Sequence, residues 1–227
     1  MNPSHNSKLI SLISVYFVVI LLISNVVSTK ILDFWAFTFD GGTLLFPLSY
    51  IIWDIITEVY GYKQSRKIIW TGFWAMILMA VTIMIVGALP AAKDWPYQED
   101  YQNILGFTPR IVLASLIAYF AGEFSNSYIL AKLKIWMKGK KLWVRTIGST
   151  LVWEFLDTFI FVVIAFYGVF GNELLLAIII SNYLFKVGIE VLFTPLTYFI
   201  VNKVKKIEWI DYYDYKTDFN PLKISDN

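Results

Sequence analysis

The chain has 227 residues, 58% of them hydrophobic, 18% aromatic and only 16% charged. Its mean hydropathy is +0.62, which excludes an ordinary soluble domain and marks an integral membrane protein. A net charge of +2 leaves no basic excess for nucleic acid, and the absence of cysteine excludes disulfides, thiol catalysis and thiolate metal sites.

His5, the single histidine, sits in a short polar N-terminal tail and offers no His-based metal site. No cofactor or metal is expected, although an all-carboxylate ion site stays open. Apolar runs then predict six membrane-spanning helices, at 9–29, 43–60, 67–89, 109–131, 145–170 and 173–202, in one transmembrane domain over 1–227. The fold expected is all-α and polytopic. The first run exceeds a signal-peptide core, and no small-residue cleavage site follows it.

The outer end of span one carries Ser24, Asn25, Ser28 and Thr29, with Asn25, Ser28 and Thr29 at helical spacing that suits one mouth of a cavity. The aromatic connector Ile31 to Gly42 reads either as a re-entrant hairpin or as an interfacial loop. Span two places Asp54 and Glu58 one turn apart. They either pair with Lys63, Arg66 or Lys67 at the interface or serve a cavity, where they are candidates for proton coupling. Span three has no charge in its apolar core and reads as mostly lipid-facing. Pro90 to Thr108 is a long loop suited to covering an opening, and span four carries Tyr119, Glu123, Asn126 and Ser127 at three- and four-residue spacing.

Span five, RTIGSTLVWEFLDTFIFVVIAFYGVF, carries Glu154 and Asp157 near its middle, with Thr150 on the same face. A carboxylate at mid-membrane costs about 2.5–3.5 kcal/mol, so this face turns inward and the rest of the chain is expected to wrap it. Span six places Asn182, Lys186 and Glu190 on one stripe. Lys186 pairs either with Glu190 on its own helix or with Glu154 or Asp157 on a neighbour. Orientation follows from the basic residues: fifteen of the nineteen fall on the side of the termini, six of them between Lys132 and Arg145, so both termini are expected in the cytoplasm.

At membrane depth, Asp54, Glu58, Glu123, Glu154, Asp157 and Glu190 face the single base Lys186. They cannot all be ionised and unpaired, so either some hold protons or the cavity receives a cation. That is the physics of a proton- or cation-coupled carrier. Aromatics such as Tyr50, Trp53, Tyr119, Trp153 and Phe155 are available to wall or stack on a flat ligand. No histidine triad, zinc-protease motif or phosphate-cradling glycine loop is present, and no enzyme is expected.

The segments SNVVSTK, FPLSYIIWDIITEVYGYKQSRK, GEFSNSYILAKLK, RTIGSTLVWEFLDTFIFVVIAF and KVGIEVLFTPLTY closely resemble the queuosine precursor transporters. The blocks D-x-x-T-E-x-Y-G, E-F-x-N-S and E-x-x-D-T carry the resemblance. It implies a multi-pass carrier of the prokaryotic inner membrane, in contact with lipid, importing 7-cyano-7-deazaguanine, its aminomethyl relative or queuine for tRNA modification. The guanine-like edge of such a base presents adjacent N–H donors that one carboxylate accepts together. Glu154, Asp157 and Glu123 are candidates for that contact, Lys186 and Asn126 for the O6 side, and Glu190 and Asn25 complete the expected binding residues. Two rivals stay open: a membrane subunit of an energy-coupling importer driven by ATP, and a scaffold whose polar stripes glue helices or join a homo-oligomer.

Overall fold

The computed structural model describes residues 8–34, 37–106, 109–168 and 171–223. His5, Thr108 and the last residues expected in span five, 169–170, lie outside the described residues. Among those described, seven helices form: α1 (Lys8–Val27), α2 (Phe46–Ile55), α3 (Tyr62–Ala88), α4 (Gln98–Ile104), α5 (Pro109–Trp136), α6 (Leu142–Phe166) and α7 (Asn172–Glu208). Four stretches within them are long and apolar enough to cross a membrane: Leu9–Val27, Tyr62–Ala88, Leu142–Ile164 and Leu175–Glu208. The chain is a multi-pass, helical membrane protein.

The connector after α1 is a β-hairpin, β1 (Ile31–Phe34) against antiparallel β2 (Phe37–Asp40), with Ile31 opposite Asp40 and Phe34 opposite Phe37. A 3-10 turn at Gly41–Leu45 then leads into α2, and a π turn at Ile56–Tyr60 ends it. The expected second span is thus three helix types in series. Pro47 lies in the first turn of α2, where a missing N–H leaves no intrahelical bond unmade.

The most enclosed stretch of the chain is here, not in α6. Every residue from Trp53 to Tyr62 is buried, while α6 buries Trp153, Glu154 and Thr158 but leaves Leu151, Val152, Phe155 and Phe159 exposed. α6 is enclosed along the face of Arg145, Thr146, Ser149, Thr150, Trp153, Glu154, Thr158 and Val162 and open on the other, so the chain wraps one side of it. Two apolar clusters flank α2. One joins Phe17, Trp53, Ile56, Ile69, Met76 and Tyr119 from α1, α2, α3 and α5; the other joins Ile51, Ile55, Val59, Leu142, Val201 and Val204 from α2, α6 and α7.

Two expected loops shrink. Gly61, with φ of +81°, turns the chain in one residue, so Tyr62 to Lys67 is the first part of α3. Likewise α5 runs to Trp136 and α6 begins at Leu142, leaving five residues between them. α3 is not wholly outward: Ser65, Arg66, Ile69, Gly72, Met76 and Ala80 form a buried stripe, and its outward residues include Trp74, Leu78, Met84 and Ile85. In the 90–108 loop, α4 forms without a buried residue, held to α3 by Gln98, whose Nε2 donates to the Gly87 carbonyl at 2.9 Å.

The tail after α7 is not a loose end. It folds back over the near ends of α3 and α5. Tyr212 N–H donates to the Val59 carbonyl at 3.1 Å, and Tyr62 N–H donates to Asp214 at 3.1 Å. Arg66 Nη1 donates to the carbonyls of Asp218 and Asn220, both at 2.8 Å, and Trp70 Nε1 to that of Pro221 at 2.9 Å. These bonds satisfy buried donors that have no water to turn to. A Cβ at Gly61 would collide with the Tyr212 ring, so the turn and the docked tail require the same glycine.

Beneath the tail lies an ion cluster centred on Glu58, which is 0% exposed. Arg145 holds its carboxylate with both guanidinium nitrogens, Lys205 reaches it at 2.7 Å and Lys134 at 3.5 Å. Asp211 of the tail bonds Lys134 at 2.6 Å and Lys205 at 3.0 Å. Lys63, Arg66 and Lys67 are therefore not the partners of Glu58 that the sequence suggested. Burial pushes the Asp211 carboxyl up, but the hydrogen bonds and charges of Lys134 and Lys205 outweigh it and hold the group below its ordinary value.

Glu58→Gln strips the buried Lys134 and Arg145 and the partly buried Lys205 of their shared anion, and a loss of about 3–5 kcal/mol is expected. Thermal unfolding in detergent should show a clear fall in Tm. For the tail, the sign is that of a depressed carboxyl: the stabilisation from Asp211 is full above the ordinary Asp range and is lost as pH falls through the lowered folded value. Limited proteolysis of the tail should therefore accelerate only under acid conditions in the native chain. In Asp211→Asn it should be faster already at neutral pH.

Candidate functional site

Glu58 sits at one end of a vertical series on α2 in which Tyr50, Asp54 and Glu58 follow at one-turn intervals. At the Tyr50 end the helices part around a cavity of about 140 Å³. All six longer helical elements line it: α1 through Phe17, Leu21, Ser24, Asn25 and Ser28; α2 through Ser49, Tyr50 and Trp53; α3 through Met76; α5 through Ser115, Ala118, Tyr119 and Glu123; α6 through Trp153, Asp157, Thr158 and Phe161; α7 through Asn182 and Lys186. A void of roughly 150 Å³ holds a molecule the size of benzene, so this one suits a compact ring system.

The close approach of α5 and α6 rests on Gly122. A Cβ there would press on Asp157 and on the Trp153 ring. With no side chain between them, Glu123 and Asp157 reach the same space.

Charge is arranged around Lys186. Its Nζ lies 2.9 Å from Asp157 and 3.1 Å from Glu154, so the pairing is between α7 and α6 and not with Glu190 on its own helix. Tyr50 donates its hydroxyl to the other oxygen of Glu154. Glu154 is 0% exposed and does not line the cavity, so it anchors Tyr50 and Lys186, which do. Two anions share one cation here. Glu123 adds a third carboxylate, and its Oε2 has no hydrogen-bond partner among the described residues.

The aromatic walls are specific. Tyr50 and Trp153 meet edge to face with centroids 5.5 Å apart, forming a corner against which a flat ring can lie. Trp53 tilts on Phe17 at 4.9 Å. Phe155, which the sequence offered as a wall, points outward and stacks on Phe159 instead. The indole N–H groups of Trp53 and Trp153 and the Thr158 hydroxyl are buried without a partner among the described residues, a concentration of unmet polar atoms that calls for an explanation by a ligand or water.

Of the residues expected in the site, Asp157, Glu123, Lys186 and Asn25 are brought together at the cavity. Asn25 Nδ2 donates to the Leu21 carbonyl at 2.9 Å. Asn126, one turn beyond Glu123, is buried with an unpartnered Oδ1 but does not line the space. Glu190 and Asp54 lie together away from it, and Glu58 belongs to the ion cluster. Sequence reasoning missed Ser49, Ser115, Thr158 and Phe161. The signal for two of them was present: Ser115, Tyr119 and Glu123 repeat every four residues on α5, and Thr158 follows Glu154 by four on α6.

Among the described residues no group of three or more His, Cys, Asp or Glu side chains is placed to hold a metal ion. The geometry suits selective binding of a small polar ring inside a membrane bundle.

The chain matches a family described as "Putative vitamin uptake transporter" over residues 40–200. A protein of Bacillus subtilis (strain 168) named "Probable queuosine precursor transporter" is 31% identical over 179 residues, which cover 77% of each chain. A protein of Haemophilus influenzae (strain ATCC 51907 / DSM 11121 / KW20 / Rd) with the same name is 28% identical over 177 residues, covering 75% of this chain and 72% of its own. No solved structure matches. A transporter and not an enzyme, the chain belongs to the queuosine precursor transporter family.

Proposed function

We propose that this protein imports a 7-deazaguanine precursor of queuosine across a prokaryotic inner membrane, with the cavity among its six longer helices as its substrate site. The observation that carries the reading is the convergence of two carboxylates, one ammonium and several aromatic faces on a space that suits one small ring system. The names of the relatives point to the same substrate. Six crossings follow if α2, with its 3-10 and π extensions, and the polar α5 also traverse the bilayer. Both termini, the ion cluster and the docked tail then lie on the cytoplasmic side, where most basic residues are found.

Each role follows from donor and acceptor chemistry. Glu123, with its unpartnered oxygen, accepts the adjacent N–H donors of the guanine-like edge. Lys186 donates to the O6 side and leaves one of its two carboxylates free to meet the 7-substituent, an arrangement that also suits the aminomethyl cation. Asn25 contributes its carbonyl oxygen at the mouth. Tyr50 and Trp153 hold the ring, and Glu154 keeps Tyr50 and Lys186 in place.

Uptake of the radiolabelled cyano, aminomethyl and queuine bases into liposomes holding only this protein is the direct test, with guanine as competitor. Saturable uptake supports the carrier, while binding without uptake would favour a subunit that needs a separate ATP-driven module. Glu123→Gln should weaken base binding about 10- to 100-fold, the cost of losing a charge-assisted hydrogen bond. Uptake unchanged in Glu123→Gln and Asp157→Asn, at normal protein levels, would remove this cavity from the pathway.

A further inference from the structure

Two buried acids take no part in the cavity or in the ion cluster. Asp54 on α2 is 3% exposed and Glu190 on α7 is 1% exposed. Asp54 Oδ2 and Glu190 Oε1 receive no hydrogen bond from any other described residue. Across the packed faces of α2 and α7 the two carboxyl groups are close enough to act on each other's charge, and two carboxyls share a hydrogen bond only when one of them carries a proton.

Among the described residues, the cations in the surroundings are already engaged by other acids. On the same segment as Asp54 stand Tyr50 and Glu58, and from α6 come Arg145 and Glu154. Arg145 is held by Glu58 and by the carbonyls of Gly139 and Lys140, while Glu154 and Glu58 are themselves anions with bases of their own. Lys186, one turn before Glu190 on α7, is engaged by Glu154 and Asp157. α1, which also packs on α2, has no charged residue between Leu9 and Val27. Two facing anions in this setting would repel across the α2–α7 contact, and Arg145, the cation that acts on Asp54, is already engaged by Glu58. Nor do the two carboxyls belong to any group large enough to cage a metal ion.

We propose that Asp54 and Glu190 together hold one proton, and that this proton is the ion carried with the substrate. The pair sits one turn from the cavity on both helices, since Tyr50 precedes Asp54 and Lys186 precedes Glu190 by four residues. It lies between the cavity and the Glu58 cluster. With the proton in place, α2 and α7 pack together and Lys186 stays with α6. When the proton leaves to water on one side, Glu190 becomes an anion one turn from Lys186 and competes for its ammonium. That frees Asp157 and parts α2 from α7. No covalent bond changes: one proton enters from one face, is shared between two carboxyl oxygens, and departs at the other face.

The inference rests on the carrier reading, and the test separates the two. Proteoliposomes containing wild type, Asp54→Asn or Glu190→Gln are assayed for base binding, for accumulation under an imposed pH gradient and for accumulation under a sodium gradient. The amides mimic the protonated acid and keep one carboxyl–amide bond. Wild type should accumulate base at least tenfold with the pH gradient and not with sodium. Both variants should lose that accumulation while binding base within about threefold of wild type. As a second measurement, the infrared spectrum of the resting wild type should show the band of a buried protonated carboxyl, and that band should be lost or shifted in either variant whose base binding shows it to be folded.

Gradient-driven accumulation that survives in both variants overturns the assignment, as does accumulation driven by sodium alone. Wild type that binds and equilibrates base but ignores the pH gradient also overturns the proton site while leaving the carrier intact. Absence of any binding by folded wild type removes the carrier reading and this inference with it.

Discussion

Glu58 is the residue on which the closed end of the bundle depends. A carboxylate with no exposed surface needs full compensation, and here it is met by cations from three helices: Lys134 of α5, Arg145 of α6 and Lys205 of α7. α2 supplies the anion through its π turn. One atom group thus ties together four elements that apolar packing alone would leave free to slide, because dispersion between apolar helices in lipid has little directional preference. The docked tail completes the arrangement by bringing Asp211 to Lys134 and Lys205 and by covering Glu58.

Seen from Glu58, the remaining buried charges sort into three levels along α2 and α7. The ion cluster is saturated, the Asp54 and Glu190 pair has no base, and the cavity has an excess of carboxylate around Lys186. The irregular backbone of the second span fits this layering. A π turn widens the helix where Glu58 must reach three partners, a feature that recurs at functional positions, and interrupted helices are the usual way a carrier places polar groups at mid-membrane.

Much of the cavity was legible in the sequence because helical spacing reveals a shared face. Glu123 with Tyr119, Asp157 with Glu154, and Lys186 with Asn182 each declare a polar stripe, and a polar stripe in a membrane span has few places to go. The spacing does not say which member of a stripe touches the void. Glu154 and Asp157 are three residues apart, yet one is a buried anchor and the other lines the cavity, a difference set by the rotation of α6 against α5. Phe155 was misplaced for the same reason. The role of Lys134, Arg145 and Lys205 was hidden because a topology signal already accounted for them, and a second use leaves no separate trace in composition. The tail escaped notice on different grounds: beside the side chains of Asp211 and Asp214, its anchors are backbone carbonyls of Tyr212, Asp218, Asn220 and Pro221, which every residue possesses and no sequence pattern marks.

The order of synthesis gives the Glu58 cluster a further consequence. Glu58 leaves the ribosome long before Lys134, Arg145 and, last of all, Lys205 and Asp211. Until α7 and the tail have been made, the acid has an incomplete set of partners and must stay near water or accept a proton. Full compensation of Glu58 therefore waits for Lys205 and Asp211, which the sequence places after every other member of the cluster.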